Sequence, residues 1–309
     1  MTASPAALDA FDLKFLREFV VIAQEGSIRR AAERLGIVPS AISRKLSDAE
    51  IRLGVRLFER HSQGMNLTDA GRMLVEHAIH MSEEQDYILD MLGQFRDETR
   101  AIIRLGAGEG FAADLMQNAF PAIMQTFPNL RFEIRQAGSE ELQRLVASGQ
   151  VDISMAYDPI LLPGTRSLAM ARQPLCAILP PSSPLAGQEV LDLATVLEQP
   201  FAILNSSHAI HRLVARAAAD RGLSLRPTVE TDSIGLLIRY VTAGLGITFL
   251  PRFSATIQEA RGDLLIRQIN EPLLHTASAH VSVRARRRLP RSVNAVATFL
   301  SDRMVAFRN

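Results

Sequence analysis

From about residue 101 onward, apolar runs of strand length alternate with amphipathic runs of helix length, and few folds accept that alternation. AIIRLGA reads as a strand and is followed by a helical stretch ending near Phe127-Pro128. LRFEIRQ, SEELQRLVASG and VDISMAY then read as strand, helix and strand. A second series follows: PLCAILP, PFAIL, the helix AIHRLVARAAADRG, RPTVE, the helix SIGLLIRYVTAG and the strand GITFLP. A strand near HTASAHVSV and the helix RSVNAVATFLSDRMVAF close the chain. Strands alternating with helices predict βαβ units and mainly parallel sheets. Two such series predict two lobes with a cleft between them, and ligands favour crevices at the carboxyl ends of such strands.

The first 95 residues have a different texture, almost wholly helical. Phe15, Leu16, Phe19, Val20, Ile22 and Ala23 follow helical spacing, and Gly26 ends that helix. Ser27 is a good N-cap for SIRRAAERL, and Gly36 follows it as a stop. Pro39 opens the next helix, SAISRKLSDAEIRL, which Gly54 closes. Leu57 to Leu67 predicts a small β-hairpin turning at His61-Ser62-Gln63-Gly64, and Thr68 caps a long helix running toward Phe95.

Two short helices joined by Gly36-Ile37-Val38 have the layout of a helix-turn-helix, whose second helix enters the major groove of DNA. The charge agrees. The 309 residues hold 34 bases and 33 acids, so the total is only +1. Between Ser27 and Arg60, however, eight bases (Arg29, Arg30, Arg34, Arg44, Lys45, Arg52, Arg56, Arg60) face four acids (Glu33, Asp48, Glu50, Glu59), a local +4 suited to phosphates. Ser27, Arg29 and Arg30 on the first helix and Ser40, Ser43, Arg44 and Lys45 at the front of the second are the expected DNA contacts. Arg60 and His61 at the hairpin tip are expected to touch the adjacent backbone as a wing. Ala31, Ala32, Leu35, Ile37, Ile42 and Leu46 are the expected small core.

The stretch FLREFVVIAQEGSIRRAAERLGIVPSAISRKLSDAEIRLGVRLFERHSQGMNLTDAGRML resembles the N-terminal winged helix of LysR-type transcriptional regulators, with AAERL, SAISR, LGVRLFER and LTDAG at the family's spacing. The later series resembles that family's effector domain, itself similar to type 2 periplasmic binding proteins. The resemblance implies an N-terminal all-α winged helix-turn-helix (11–68), a linker and dimerisation helix (69–96), and an α/β two-lobed effector domain (97–309). Its lobe I would take about 100–165 and 268–309, and lobe II about 166–267. It implies a homo-oligomer, a homodimer or homotetramer, that binds double-stranded promoter DNA and responds to a small-molecule effector, with RNA polymerase left open as a further partner. The family commonly has a polar cap and then a Gln at the front of the recognition helix. Val38 and Pro39 stand there instead, which shifts the expected base readout to Ser40, Ser43 and Arg44.

Leu74, Ala78, Met81, Gln85, Ile88, Leu92 and Phe95 are spaced 4-3-4-3-4-3, a heptad seam that expects a partner helix. Packing on the chain's own effector domain is the alternative. For the cleft, the strand-end loops are Gly108-Glu109-Gly110, Gly138-Ser139, Asn205-Ser206-Ser207-His208 and Thr231-Asp232-Ser233, with Gly108, Glu109, Ser139, Asn205, Ser206, Ser207 and Thr231 as the expected contacts. Glu109, Ser206 and Thr231 are the residues most expected to line it. The Ser residues serve helix capping equally well. A carboxylate at Glu109, where the family often has Ser or Thr, argues against a simple anionic effector and favours one carrying a hydroxyl or amine, unless an Arg neutralises it.

Other chemistries find little support. Gly108-x-Gly110-x-x-Ala113 after a strand approaches a dinucleotide fingerprint, but the acid that should follow would be Glu133, in the middle of LRFEIRQ. A nicotinamide-dependent enzyme is therefore a poor fit, and no cofactor is expected. A plain solute-binding protein would have no use for the basic helices. His208 and His211 offer two metal ligands with no third, so no metal is expected and both read as surface residues. Cys176 is alone and sits in an apolar strand, which excludes an internal disulfide and fits a reducing cytosol. The basic run Arg284, Arg286, Arg287, Arg288 and Arg291 reads as a solvated loop. The start MTASPAALDAFD has no basic region ahead of an apolar run, and Gly235 to Phe253 is broken by Arg239. Together these place the chain in the cytoplasm, away from membranes.

Overall fold

The computed structural model describes residues 12–61, 64–93, 102–285 and 289–308. The chain divides into two compact units, Met1–Asp97 and Glu98–Asn309.

In the first unit, α1 (Leu13–Glu25), α2 (Ile28–Leu35) and α3 (Pro39–Leu53) pack around Phe15, Leu16, Phe19, Ile22, Ala31, Ala32, Ile42 and Leu46, all buried. Leu35 and Ile37 pack on that core partly exposed. Ser27 caps α2, and Gly36, at φ 66°, makes the left-handed turn that lets α3 start close by. The hairpin forms: β1 (Phe58–His61) runs antiparallel to β2 (Gly64–Leu67). Its base is fixed by Glu50 of α3, whose carboxylate accepts the Leu57 and Phe58 N–H groups at 2.7 and 3.1 Å. Thr68 starts α4 (Asp69–Gly93) by accepting the Gly71 N–H at 3.0 Å.

The second unit holds two mixed sheets. Among the described residues, lobe I is a five-stranded sheet ordered β4 (Arg131–Gln136), β3 (Ile102–Ala107), β5 (Ile153–Tyr157), β13 (Ser278–Arg284), β6 (Thr165–Arg172). Lobe II is six-stranded: β10 (Val229–Thr231), β9 (Phe201–Leu204), β11 (Ile247–Pro251), β7 (Leu175–Leu179), β12 (Leu265–Ile269), β8 (Val190–Leu191). The expectation of mainly parallel sheets holds apart from one strand in each lobe. β13 is antiparallel to both β5 and β6, and β7 to both β11 and β12. The chain crosses between lobes twice, after β6 and after β12, and each returning strand enters its new sheet against the local direction. β6 and β12 also escape a reading of pattern, because β6 opens on Thr165-Arg166-Ser167 and the apolar residues of β12 are interrupted by Arg267 and Gln268. With β6 in the first sheet, the lobe boundary falls after Arg172 rather than at 165.

The helices cover these sheets. α5 (Ala112–Asp114), a π-helical turn (Leu115–Ala119) and α6 (Phe120–Thr126) follow β3. α7 (Ser139–Ala147) follows β4, and α8 (Leu193–Leu197) follows β8. α9 (Ala209–Asp220) follows β9, and α10 (Ile234–Thr242) follows β10. α11 (Thr256–Arg261) precedes β12, and α12 (Arg291–Arg303) is the last α-helix, followed by a 3-10 turn at Val305–Phe307. No described helix is long and apolar enough to cross a membrane. The apolar Gly235–Phe253 stretch resolves into most of α10 and the central strand β11. Arg286, Arg287 and Arg288 lie outside the described residues.

Gly71 explains why the fold needs glycine in LTDAG. A Cβ there would stand 2.1 Å from the Leu57 carbonyl oxygen, where α4 passes the end of the loop into β1. Gly71→Ala is expected to destabilise the N-terminal unit by about 1–3 kcal/mol, because backbone must move. Urea unfolding of the full chain measures this, and an unchanged first transition would contradict it.

Candidate functional site

The front of α3 is the first candidate. Val38 precedes the helix without any side-chain cap and is 62% exposed. Ser40 is exposed and Ser43 half-buried. The Arg44 side chain is 86% exposed and only 4.0 Å from Asp48. Arg29 is equally open, paired at 3.3 Å with Glu33 on its own helix. Three expected contacts are committed elsewhere. Lys45 donates to both oxygens of the nearly buried Glu18 at 2.8 and 2.7 Å, tying α3 to α1. Ser27 caps the Arg30 N–H, and the Arg30 guanidinium donates to the Glu25 carbonyl. On the wing, His61 is exposed and lies 3.7 Å from Glu59, whereas the Arg60 side chain lies outside the description.

The heptad stripe of α4 has two parts. Leu74 and Ala78 are buried in the core that α1 shares, so the first turns of the stripe already have an intramolecular partner. Met81 and Ile88 are exposed, and Gln85 between them has a buried amide oxygen with no hydrogen-bond partner. The Leu92 side chain and all of Phe95 lie outside the described residues.

The second candidate lies between the lobes of the effector unit, where the carboxyl ends of β3, β4, β9 and β10 meet. A mouth of about 470 Å3 is lined by Glu109, Asn205, Ser207, His208 and Asp232, among others. Arg144 also lines it, held by Glu141 at 3.2 Å and Glu140 at 3.6 Å. Below it an apolar recess of about 50 Å3 is walled by Phe111, Tyr157, Leu204, Ile210 and Phe253. Phe111 and Phe253, from opposite lobes, have ring centroids 4.7 Å apart.

The expected cleft residues fare unevenly. Gly108, Glu109 and Ser139 line the recess, and Asn205 and Ser207 the mouth. Ser206 and Thr231 fall outside both linings, and the Asn205 and Thr231 side chains are engaged in closing tight turns. Asn205 Oδ1 accepts the Ser207 N–H and hydroxyl, and Thr231 Oγ1 accepts the Ser233 N–H. The Ser139 hydroxyl is spent on the Tyr157 carbonyl at 2.7 Å. Glu109 itself is bound to lobe II: its carboxylate accepts hydrogen bonds from Ser233, Ile234 and Gly235.

Ser254 escapes the sequence reading altogether, whereas His208 and Asp232 lie in the expected strand-end loops without being among the expected ligand contacts. His208 reads as a surface residue in sequence, yet burial depresses its pKa against the opposing pull of Asp232. Ser254 is buried in the recess wall and its hydroxyl has no hydrogen-bond partner. Among the described residues no group of His, Cys, Asp and Glu could hold a metal ion.

Both units match known families. Residues 13–72 match the bacterial regulatory helix-turn-helix protein, lysR family, and residues 96–305 match the LysR substrate binding domain. The chain belongs to the LysR family. It is a transcriptional regulator with an N-terminal DNA-binding head and a two-lobed effector domain. Among its relatives, HTH-type transcriptional regulator YofA of Bacillus subtilis is 27% identical over 268 residues, 85% of this chain and 88% of that one. A probable hydrogen peroxide-inducible genes activator of Mycobacterium leprae is 25% identical over 258 residues, 83% of each chain. A full-length OxyR variant from Pseudomonas aeruginosa shares the fold, with a TM-score of 0.73 at 23% identity over 96% of both chains. These relatives are named as regulators, not as enzymes.

Two imidazoles make this LysR-type effector unit sensitive to acid. Burial lowers the pKa of His208 and of His280, whose ring is hydrogen-bonded by Ser278 and Ser167. Both fold as neutral groups. The unfolded chain takes up their protons near pH 6.5, so stability falls as the pH drops through that value toward the lower folded-state pKa. Asp158, raised by burial, acts in the opposite sense and only between its ordinary range and its raised value. The effector-unit melting temperature is expected to fall from pH 7 to about 5.5, and His208→Gln and His280→Gln should each flatten that slope in calorimetry. A flat wild-type profile would contradict the assignment.

Proposed function

We propose that this regulator reads its operator through the front of α3 and answers to a small molecule held between the lobes of its effector domain. The observation that carries the first half is the solvent exposure of Ser40 and Arg44 beside a hairpin wing, at the helix end that meets base edges in helix-turn-helix proteins. Arg44 serves as the base reader, since its guanidinium matches guanine O6 and N7. Val38 adds an apolar contact suited to a thymine methyl, and Arg29, Arg60 and His61 take phosphates. Lys45 acts by packing α3 on α1 rather than by touching DNA.

Support for the second half is the cleft itself, an apolar floor with polar groups at its rim, which suits a small molecule with one polar end. The exposed Met81 and Ile88 of α4 pair with a second copy, giving a homodimer and, through further pairing, a homotetramer. A thiol-based peroxide sensor, which the mycobacterial relative's name raises, fits this chain poorly. Its one cysteine, Cys176, is buried in β7 and burial pushes the thiol up to about 11, so little of the reactive thiolate forms.

Two measurements test this. With operators selected from random duplexes by the full chain, Arg44→Ala should lose about 1–3 kcal/mol of discrimination against unselected DNA. Arg60→Ala should weaken both equally and reduce the salt slope. Equal losses for Arg44→Ala on both DNAs would make it a phosphate contact. Ile88→Asp should lower the sedimenting mass, and an unchanged mass would show that this part of α4 has no partner.

A further inference from the structure

The Glu109 carboxylate stands where a ligand's carboxylate would be expected. Glu109 sits on the lobe I loop after β3, yet Oε2 accepts the Ile234 N–H at 2.7 Å, and Oε1 accepts the Gly235 N–H at 2.9 Å and the Ser233 hydroxyl at 3.1 Å, all in lobe II. Those amides belong to the first turn of α10, which no intrahelical carbonyl can satisfy and where aligned peptide dipoles favour an anion. Ser233 completes the arrangement in both directions. Its oxygen accepts the Leu236 N–H at 3.2 Å while its proton goes to Glu109. Glycine at 235 leaves the room: a Cβ there would be 3.3 Å from Glu109 Oε1, closer than ordinary contact.

We infer that Glu109 is a tethered anion that fills the α10 seat from within the chain and ties lobe I to lobe II, so that the effector of this regulator is a non-anionic molecule bearing hydrogen-bond donors. The effector half rests on reading the cleft as the ligand site; the seat does not. Two further observations fix the ligand's chemistry. Glu109, Glu140, Glu141 and Asp232 surround the mouth, against Arg144 among its lining residues and Arg212 behind the rim on the Ser207 carbonyl, with His208 held neutral by burial. A carboxylate entering there meets repulsion and a filled seat, whereas an amine or hydroxyl meets acceptors. In the recess below, Ser254 is 6% exposed and its hydroxyl is unpartnered, so it can take or give one hydrogen bond to a polar group of the ligand.

Chemical rescue tests the seat without knowledge of the effector. The full chain is melted at constant ionic strength with sodium acetate replacing sodium chloride, as wild type, Glu109→Ala and Glu109→Gln. Glu109→Ala should melt about 5 °C lower, since charge-assisted bonds between lobes are lost. Acetate should recover at least half of that loss in a saturable manner. Wild type should not respond, because its seat is filled. Glu109→Gln should be destabilised but not rescued, because its amide keeps the space. An unshifted Glu109→Ala transition, or acetate raising wild type as much as the variant, would overturn the proposal. The same titration followed by DNA affinity separates the two readings. Acetate that restores stability and changes operator affinity supports both. Acetate that restores stability and leaves affinity unchanged keeps the tethered anion but overturns the effector reading. Propylamine and propionate probe the ligand class on wild type: saturable stabilisation by the amine alone is expected, and stabilisation by the carboxylate alone would overturn it.

Discussion

Two sheets carried on separate lobes form a cleft of fixed width only if something spans it. Here a carboxylate from one lobe sits on the open end of a helix in the other, beside the Phe111–Phe253 ring contact. The Glu109 bonds bring the β3 loop against α10. Next to it Phe111 stands against Phe253 and walls the apolar floor. The polar rim is what remains of the strand ends once these groups are used. Carboxylate oxygens bound to helix amides are charge-assisted and short, stronger than neutral hydrogen bonds. A ligand that alters the spacing must do so through its different affinity for the two lobe arrangements.

The parts legible in sequence are those set by neighbours along the chain. Ser27 capping α2, Gly36 turning into α3 and Thr68 starting α4 are local events, so spacing alone locates them. The strand-end loops after β3, β4, β9 and β10 are visible for the same reason. The parts that are not legible are long-range. Lys45 looks like a DNA contact until Glu18, 27 residues earlier, is folded against it. Glu109 looks like a ligand contact until Ser233, 124 residues later, reaches it. The Leu74 and Ala78 half of the heptad stripe belongs to α1, because a helix that starts at the edge of a core must cover that core first. Antiparallel β7 and β13 follow from the two crossings between lobes, and periodicity carries no information on strand direction.

The DNA-binding head shows how a family pattern and a chain's own choices combine. Glu50 anchoring the hairpin and Gly71 passing the Leu57 carbonyl are structural needs of the wing. Val38 and Pro39 are departures at the reading end, where the fold leaves the choice open. A valine that caps nothing forgoes the stability a Ser or Asp would bring there, about 1 kcal/mol for a typical cap. That cost is consistent with a residue kept for contact rather than for folding. The buried Cys176 likewise separates this chain from thiol chemistry while leaving the shared fold intact.

The same buried cysteine makes the most direct test clean. Spin labels placed through Met116→Cys in lobe I and Ser224→Cys in lobe II, both exposed positions, report the distance between lobes without interference from Cys176. If the Glu109 carboxylate sets the width of the cleft, wild type gives one narrow distance distribution, Glu109→Ala broadens it, and acetate narrows it again. Identical distributions in wild type and Glu109→Ala would contradict the account, since the lobes would then hold their spacing without the carboxylate.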